Sequence, residues 1–400
     1  MDNVLCGIVK IMSKMFSYNY LTEKHLKGFD NYKYSAIDTS PLSKYVMHPI
    51  WYTTVKFLPK WIAPNLLTFA GFVCMVMCVV LLLIYDYHCT AADDHPDSRR
   101  MPDCVYTACA VLLFLAYNLD GIDGKQARRV GVSGPLGEMF DHGLDSYIVF
   151  FIPFCLFSVF GRDEYSVSVF RGYFIVMSVV LNFYVSHWEK YNTGTLYLPW
   201  GYDLSMWVSS AIFLLAGLNG PQVFKVTVFG NVTFVQALEV AVHTTGLFTT
   251  LPIAVYNVYL SYQNRTGKLY PLIESLRPVW SMLLLTTLMT CWAVYSPNNI
   301  LESQLRPFLF LFGTAFSNIS SRLIVAEMSG GRCDAVVPLL WPLTLLTAVS
   351  LHQPRLELLA LYTAIAVAVA THVHYGVCVV RQMCEHFGVK CFTVPKSKQK

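Results

Sequence analysis

The sequence predicts an all-α, polytopic integral membrane protein with about ten transmembrane helices. Composition is the first reason: of the 400 residues, 55% are hydrophobic and only 14% are charged, whereas a soluble domain carries about 25% charged residues. The second reason is that apolar residues form long runs, such as Leu66 to Tyr85, which span about 30 Å of hydrocarbon as a helix. The formal net charge of +4 is too small to indicate a nucleic-acid partner.

Short polar connections separate the apolar runs and set the expected helix boundaries. We expect the spans at residues 64–85, 104–120, 138–160, 168–187, 205–218, 233–260, 276–295, 306–326, 335–351 and 356–380. Because their number is even, both termini lie on one side of the membrane. Few basic residues then fall on the opposite side, namely Arg99, Arg100, Arg162, Arg171, Lys225, Arg306 and Arg355. The positive-inside rule therefore predicts cytosolic termini.

An amphipathic helix is expected before the first span. Ser40 and Pro41 are suited to the N-cap and first position of a helix that runs toward Lys60. Aromatic residues alternate with lysines along it, namely Tyr45, Trp51, Tyr52 and Phe57 with Lys44, Lys56 and Lys60. Such a helix lies in the membrane interface. The alternative is an ordinary helix packed on the bundle.

Three local features bear on compartment and topology. Cys89 and Cys104 flank the first hydrophilic loop, and the sequence leaves open whether they pair. Asn231 begins an Asn-Val-Thr acceptor in a connection predicted to be lumenal. Lys396 and Lys398 lie five and three residues from the end and resemble a dilysine address for the endoplasmic reticulum membrane. The alternatives are a Golgi location and a merely solvated basic tail.

Four aspartates are candidate ligands for a metal ion. Asp120 and Asp123 lie near the end of the second predicted span, and Asp141 and Asp145 lie near the start of the third. Spacings of three and four residues place each pair on one helical face, so two antiparallel helices can direct all four carboxylates at one centre. Carboxylates so close repel each other unless a cation neutralises them, and oxygen ligands suit Mg²⁺, Mn²⁺ or Ca²⁺ better than zinc.

The residues between the aspartates fit a phosphate ligand. Gly121 and Gly124 let a phosphate approach the backbone, and Gly137 and Ala127 allow tight helix packing. Arg128 offers a guanidinium fork for phosphate oxygens. A solvated acidic loop beside two spans is the alternative.

The stretch from 120 to 145 fills the pattern Asp-x2-Asp-Gly-x2-Ala-Arg-x8-Gly-x3-Asp-x3-Asp without a departure, and it resembles the CDP-alcohol phosphatidyltransferases. The opening of the first span, Ala-Pro-Asn65-Leu-Leu-Thr, is also similar to that family. The resemblance implies that the metal ligands are Asp120, Asp123, Asp141 and Asp145. It implies substrate contacts at Asn65, Gly124, Ala127, Arg128 and Gly137.

Three further segments resemble the eukaryotic choline/ethanolamine branch of this family, and most closely its ethanolamine-using members. They are Phe-Asp141-His142-Gly, Ser-His187-Trp-Glu-Lys-Tyr-Asn-Thr-Gly194 and Leu-Pro-Trp-Gly-Tyr-Asp203. This resemblance implies transfer of phosphoethanolamine from CDP-ethanolamine to diacylglycerol, or to an alkyl-acylglycerol, with release of CMP. The implied cofactor is Mg²⁺ or Mn²⁺. Membrane lipid is an implied partner, and a homodimer is expected by analogy. The alternative is the same reaction with CDP-choline or with both donors.

The resemblance also implies a catalytic base. His142 is the candidate, because imidazole titrates near neutrality, and Asp145 is its competitor. Choline-type relatives place a glutamate three residues after the position of Asp203, where this chain has Met206. A glutamate-assisted base therefore cannot be transferred from them, and Asp203 or Glu189 are the substitutes to consider.

The expected organisation has four regions. Residues 1–60 form a cytosolic or interfacial region, and 61–190 form the catalytic core with the metal-binding motif at 120–145. Residues 191–380 supply the other transmembrane helices for lipid access and dimer contacts, and 381–400 form a cytosolic basic tail. A cation-coupled transporter is the competing class, but a transporter places its acids near mid-membrane on broken helices.

Overall fold

A computed structural model describes residues 16–94, 100–198, 201–395 and 398. The predictions for Arg99, for Lys396 and for the Pro-Trp pair at 199–200 fall outside these residues. The chain is 74% helical with almost no sheet. In chain order, the helices are α1 (Glu23–Asp30), α2 (His48–Thr54), α3 (Pro64–Tyr85), α4 (Asp103–Val130), α5 (Pro135–Phe160), α6 (Val169–Thr193), α7 (Gly201–Asn219), α8 (Phe234–Thr244), α9 (Leu251–Gln263), α10 (Leu272–Ser275), α11 (Arg277–Tyr295), α12 (Ile300–Ser303), α13 (Leu305–Met328), α14 (Leu340–His352) and α15 (Glu357–Phe387).

The predicted fold class is confirmed. Within the described ranges, nine helical segments are long and apolar enough to cross a membrane, with α8 and α9 forming one continuous segment, Phe234–Gln263. A π-helical stretch, Thr245–Thr250, joins these two helices. Pro252 follows it at the start of α9, where the proline lacks the amide hydrogen that an α-helical bond needs.

The ninth predicted span is the exception in length. It appears as α14, an apolar helix of 13 residues, which measures about 20 Å at 1.5 Å per residue. The helix starts later than expected because the preceding segment is held in an irregular conformation by α11. The Arg277 side chain donates to the Cys333 carbonyl at 2.6 Å, and the Ser281 hydroxyl donates to the Ala335 carbonyl at 2.9 Å.

The N-terminal amphipathic helix begins where the sequence predicts. The Ser43 amide donates to the Ser40 hydroxyl at 3.2 Å, and the helix continues through a π-helical turn, α2 and a final 3₁₀ turn that ends at Phe57. It ends short of Lys60 because the Arg129 guanidinium binds the Val55 and Leu58 carbonyls at 2.7 and 2.6 Å.

The aromatic residues of this helix divide between two environments. Trp51 is only 4% exposed and packs on the bundle, whereas Phe57 is 83% exposed, and Tyr45 and Tyr52 are exposed as well. The buried face anchors the helix, and the exposed aromatic face is of the kind that favours a membrane interface.

Two short strand pairs were not predicted. Strand β1 (Ala36–Asp38) pairs in parallel with β2 (Leu196–Leu198), and β3 (Thr227–Phe229) pairs antiparallel with β4 (Val232–Thr233). The first pair fastens the N-terminal region to the connection between α6 and α7. Strands of two or three residues are too short to show a periodic pattern in the sequence.

Cys89 and Cys104 are both free thiols in the structure, the first buried and the second exposed. These two cysteines are therefore not paired in the structure.

Candidate active site

The four aspartates lie on two antiparallel helices. Gly131 ends α4 in the left-handed conformation, with a φ of 65°, which suits glycine, and Pro135 occupies the first turn of α5. This tight connection turns the end of α4 back along the start of α5.

The carboxylates meet as their spacing predicts. Asp120, Asp123 and Asp141 each offer an oxygen within 4.8 Å of the other two, and Asp141, His142 and Asp145 form a second such group. Asp141 belongs to both groups and is therefore the centre of the cluster.

Neighbouring hydroxyls fix the outer oxygens of the cluster. The Thr68 hydroxyl donates to Asp123 Oδ2, and the Tyr202 hydroxyl donates to Asp120 Oδ2 at 3.0 Å. Asp141 Oδ1 is buried and has no hydrogen-bond partner among the described residues. A buried carboxylate oxygen left without a donor is costly, and a hard divalent cation satisfies it. The donor set therefore fits a divalent metal ion.

The two adjacent arginines have different tasks. Arg129 is committed to the carbonyls that end the N-terminal helix. Arg128 lines the cavity above the aspartates, and its side chain makes no hydrogen bond or ion pair within the described part of the chain. Its guanidinium fork is therefore available to a phosphate.

The small residues of the motif also separate into two kinds. A Cβ added at Gly124 or Gly137 would meet only one atom within 4 Å, Arg128 at 3.8 Å or Asn65 at 3.5 Å. Both glycines and Ala127 line the cavity, so the space beside them is open to a ligand. That Gly137 and Ala127 also serve helix packing stays a prediction.

Gly121 has a different role from the one predicted. A Cβ there would lie 2.2 Å from the Trp51 ring, so the glycine admits the indole of the N-terminal helix rather than a phosphate. The same indole donates to Asn118 Oδ1 at 3.0 Å.

Lys125 lies within the motif but was not predicted as a site residue. Its ammonium lies 3.0 Å from His48 Nδ1 and 3.1 Å from the Gly121 carbonyl, and 4.6 Å from the centroid of the Trp51 ring. Burial, and then the Lys125 charge, lower the pKa of His48. Lys125 lines the cavity and adds positive charge next to the aspartates.

Asn65 lies in the cavity wall beside Gly137. Its side-chain amide donates to the Cys391 carbonyl at 3.0 Å. Residues 387–395 thus fold over this side of the cavity, with Val394 buried against Ala63 and Val130. No pattern in the sequence indicates this contact, which joins residues 326 positions apart.

His142 is buried beside the cluster. Its Nδ1 lies 3.4 Å from Asp145 Oδ2, and its Nε2 lies 3.9 Å from Glu138 Oε1. Its ring centroid is 5.2 Å from that of His187. Glu138, one helical turn earlier on the same helix face, is a neighbour that sequence reasoning missed, although its spacing of four residues was a usable signal.

The two residues considered as substitutes for the missing glutamate are engaged elsewhere. Asp203 accepts from the Tyr117 hydroxyl at 2.6 Å, and Glu189 accepts from the Asn257 amide at 2.6 Å. Among the described residues, the carboxylates within 4 Å of His142 are those of Glu138 and Asp145. Met206 itself is buried and lines the cavity.

One cavity of about 1240 Å³ runs from the cluster into the space between the apolar helices. Its volume exceeds the roughly 300–1,000 Å³ of common small-molecule pockets. Its polar end holds the aspartates, Arg128 and Lys125. Its other end is apolar and lies between α5, α6, α7 and α8, where the lining includes Ile152, Leu156, Phe157, Ile175, Val179, Val208, Ile212, Val235 and Leu238. The site can therefore hold a charged ligand and a lipid at once.

Comparison with known proteins gives a consistent result. Residues 61–219 match the family model described as CDP-alcohol phosphatidyltransferase. The chain is 43% identical over 385 residues to ethanolaminephosphotransferase 1 of Mus musculus, with 96% of each chain covered, and 42% identical to the Homo sapiens protein of the same name, again with 96% of each covered. It is 29% identical to choline/ethanolaminephosphotransferase 1 of Arabidopsis thaliana, over 95% of this chain and 99% of the relative.

Proposed function

Because this chain belongs to the CDP-alcohol phosphatidyltransferase family, we propose that it transfers phosphoethanolamine from CDP-ethanolamine to diacylglycerol or an alkyl-acylglycerol, giving phosphatidylethanolamine and CMP. The observation that carries the proposal is identity of 42–43% over nearly the whole chain to two ethanolaminephosphotransferases. The four-carboxylate cluster at the polar end of a lipid-sized cavity supports the same reaction.

Use of CDP-choline, alone or with CDP-ethanolamine, is the second candidate. It rests on the lower identity, 29%, to a relative named for both donors. Met206 weighs against it, because choline-type relatives have a glutamate at this position, and Glu189 with Lys190 weighs in the same direction.

The proposed mechanism is one displacement at phosphorus. The hydroxyl oxygen of the acceptor lipid attacks the β-phosphorus of CDP-ethanolamine, a new P–O bond forms, and the bond to the CMP oxygen breaks. His142 takes the hydroxyl proton, and Arg128 and Lys125 bind phosphate oxygens. Mg²⁺ or Mn²⁺ would be held by Asp120, Asp123, Asp141 and Asp145, and would neutralise diphosphate charge and stabilise the CMP leaving group. The remaining catalysis is positioning, to which Asn65, Gly124, Ala127 and Gly137 contribute by shaping the donor site.

The apolar end of the cavity is the proposed site of the acyl chains. Ile212→Trp on α7 fills part of this space, so we expect kcat/KM for diacylglycerol to fall by about tenfold or more, with KM for CDP-ethanolamine unchanged. The matched control is Leu214→Trp, on the exposed face of the same helix. An equal loss in both variants, or no loss in Ile212→Trp, contradicts the assignment.

The donor is tested directly with purified protein in lipid micelles containing diacylglycerol. CMP release is measured with CDP-ethanolamine or CDP-choline, with and without Mg²⁺. We expect release with CDP-ethanolamine and Mg²⁺, and little with CDP-choline. Release with neither donor contradicts the proposed function, and equal release with both favours the second candidate.

We further propose an endoplasmic reticulum location with both termini cytosolic, in preference to a Golgi location. This orientation makes the turn between β3 and β4 lumenal, and its Asn231 is exposed. We expect the expressed protein to lose apparent mass on treatment with a glycosidase specific for N-glycans, and Asn231→Gln to abolish that shift. A shift that persists in Asn231→Gln, or its absence in the parent, contradicts this topology.

A further inference from the structure

A segment of the chain beyond α15 contacts the helices that carry the aspartates. It comprises residues 389–395, and the sequence predicts only a basic tail in this region. The ring centroid of Phe392 lies 5.8 Å from that of Phe69 on α3 and 5.5 Å from that of Phe140 on α5. Val394 is only 4% exposed and belongs to a small apolar cluster with the end of α4. This C-terminal segment is therefore anchored on α3, α4 and α5.

The C-terminal segment also forms one wall of the cavity. Cys391, Thr393 and Pro395 line the cavity, whereas the two residues between them, Phe392 and Val394, pack on the helices. Successive side chains thus lie on opposite sides of the segment, as they do in an extended chain. One side holds the segment in place, and the other side faces the space in which the donor is proposed to bind.

The most specific contact of the segment is with Asn65 on α3. The amide nitrogen Nδ2 of Asn65 donates to the Cys391 carbonyl at 3.0 Å and lies 3.4 Å from Cys391 Sγ. Asn65 Oδ1 lies beside Gly137, where an added Cβ would be 3.5 Å from it, and makes no hydrogen bond within the described residues. Because the amide is planar, a fixed Nδ2 also fixes the direction of Oδ1. Cys391 therefore leaves Oδ1 as an acceptor for a ligand.

We propose that the C-terminal segment completes the donor site, with Cys391 as the positioning residue for Asn65. This inference rests on the proposed function, in which Asn65 helps to shape the site for CDP-ethanolamine. The Cys391 carbonyl holds the amide so that Asn65 Oδ1 accepts from a hydroxyl or amine of the donor's cytidine. A side chain that is positioned before the donor arrives lowers the free-energy cost of binding. The segment therefore acts on donor affinity rather than on the chemical step.

The test is Val394→Asp in the full chain, because a carboxylate is costly in an apolar cluster and detaches the segment. We expect KM for CDP-ethanolamine, and the dissociation constant of CMP measured by calorimetry with Mg²⁺ present, to rise by about tenfold. The expected kcat is within about twofold of the parent value. Phe392→Ala removes an anchor that is 45% exposed and should raise the same two constants less. Val228→Asp, at an exposed valine of β3, is the matched control and should change neither.

A double-mutant cycle separates positioning from a merely structural effect. In Asn65→Ala the segment has no amide to hold, so the addition of Val394→Asp should raise KM for CDP-ethanolamine by less than about twofold. The inference is overturned if Val394→Asp leaves KM unchanged or lowers it, or if it raises KM equally in the Asn65→Ala background. Midpoints of thermal unfolding identify any variant that does not fold, and if Val394→Asp is one, Phe392→Ala decides by the same criteria.

The two proposals fail in different ways. If the parent releases no CMP from either donor, the proposed function fails, while the dissociation constant of CMP still reports on the wall formed by the segment. If the parent turns over CDP-ethanolamine and Val394→Asp has the parent KM, only the inference about the segment fails.

Discussion

Asp141→Asn is expected to lower turnover of CDP-ethanolamine by about 10³-fold or more. Asp141 is shared by both groups of potential ligands, and its Oδ1 has no other partner among the described residues. A metal ion contributes several kcal/mol of charge stabilisation, and each 1.36 kcal/mol corresponds to about tenfold in rate. The measurement is CMP release at saturating Mg²⁺ and donor.

The control for this prediction is Asp103→Asn. Asp103 is an exposed aspartate in the first turn of the same helix that carries Asp120 and Asp123, far along α4 from the cluster. We expect this variant to retain the parent turnover within about twofold. Turnover by Asp141→Asn within tenfold of the parent, at any Mg²⁺ concentration, would refute a shared ion at this site.

The second large effect is expected from His142→Ala. Loss of a general base lowers kcat by about 10²- to 10⁴-fold. The donor site is left intact, because the cations proposed to bind the donor's phosphates are Arg128 and Lys125, and His142 is not one of them. We therefore expect CDP-ethanolamine to bind with parent affinity while CMP release is lost.

His352→Ala is the matched control, because His352 is exposed at the end of α14. It should leave both binding and turnover unchanged. If His142→Ala keeps more than a tenth of the parent kcat, the proton goes to Asp145 or to water instead.

Local periodicity was enough to predict most of the fold and the aspartate geometry. The long apolar runs became helices close to their expected starts, as α3 and α13 illustrate. Three helices, α4, α6 and α15, continue past their expected ends, to Val130, Thr193 and Phe387. Spacings of three and four residues were enough to bring Asp120, Asp123 and Asp141 together, since helix geometry and a short connection determine that outcome.

The features that were missed depend on contacts between distant parts of the chain. The sequence pattern predicts that Gly121 lets a phosphate approach the backbone. In the structure the side chain of Trp51, 70 positions earlier, fills the space beside this glycine. The pairing of Lys190 with Glu138 and Glu327 joins three helices. The Asn65–Cys391 hydrogen bond depends on the path of the C-terminal segment. No periodic pattern encodes such contacts, so only the folded chain reveals them.

The central claim is that the carboxylates of α4 and α5 share a divalent ion that grips the donor's diphosphate. Its most direct test is a Mn²⁺ titration of the purified protein, with and without CDP-ethanolamine, in which electron paramagnetic resonance measures the bound Mn²⁺. Saturable Mn²⁺ binding that tightens with the donor and is lost in Asp141→Asn is the predicted result. Equal Mn²⁺ binding by the parent and Asp141→Asn, or no binding by the parent even with donor present, would contradict the claim.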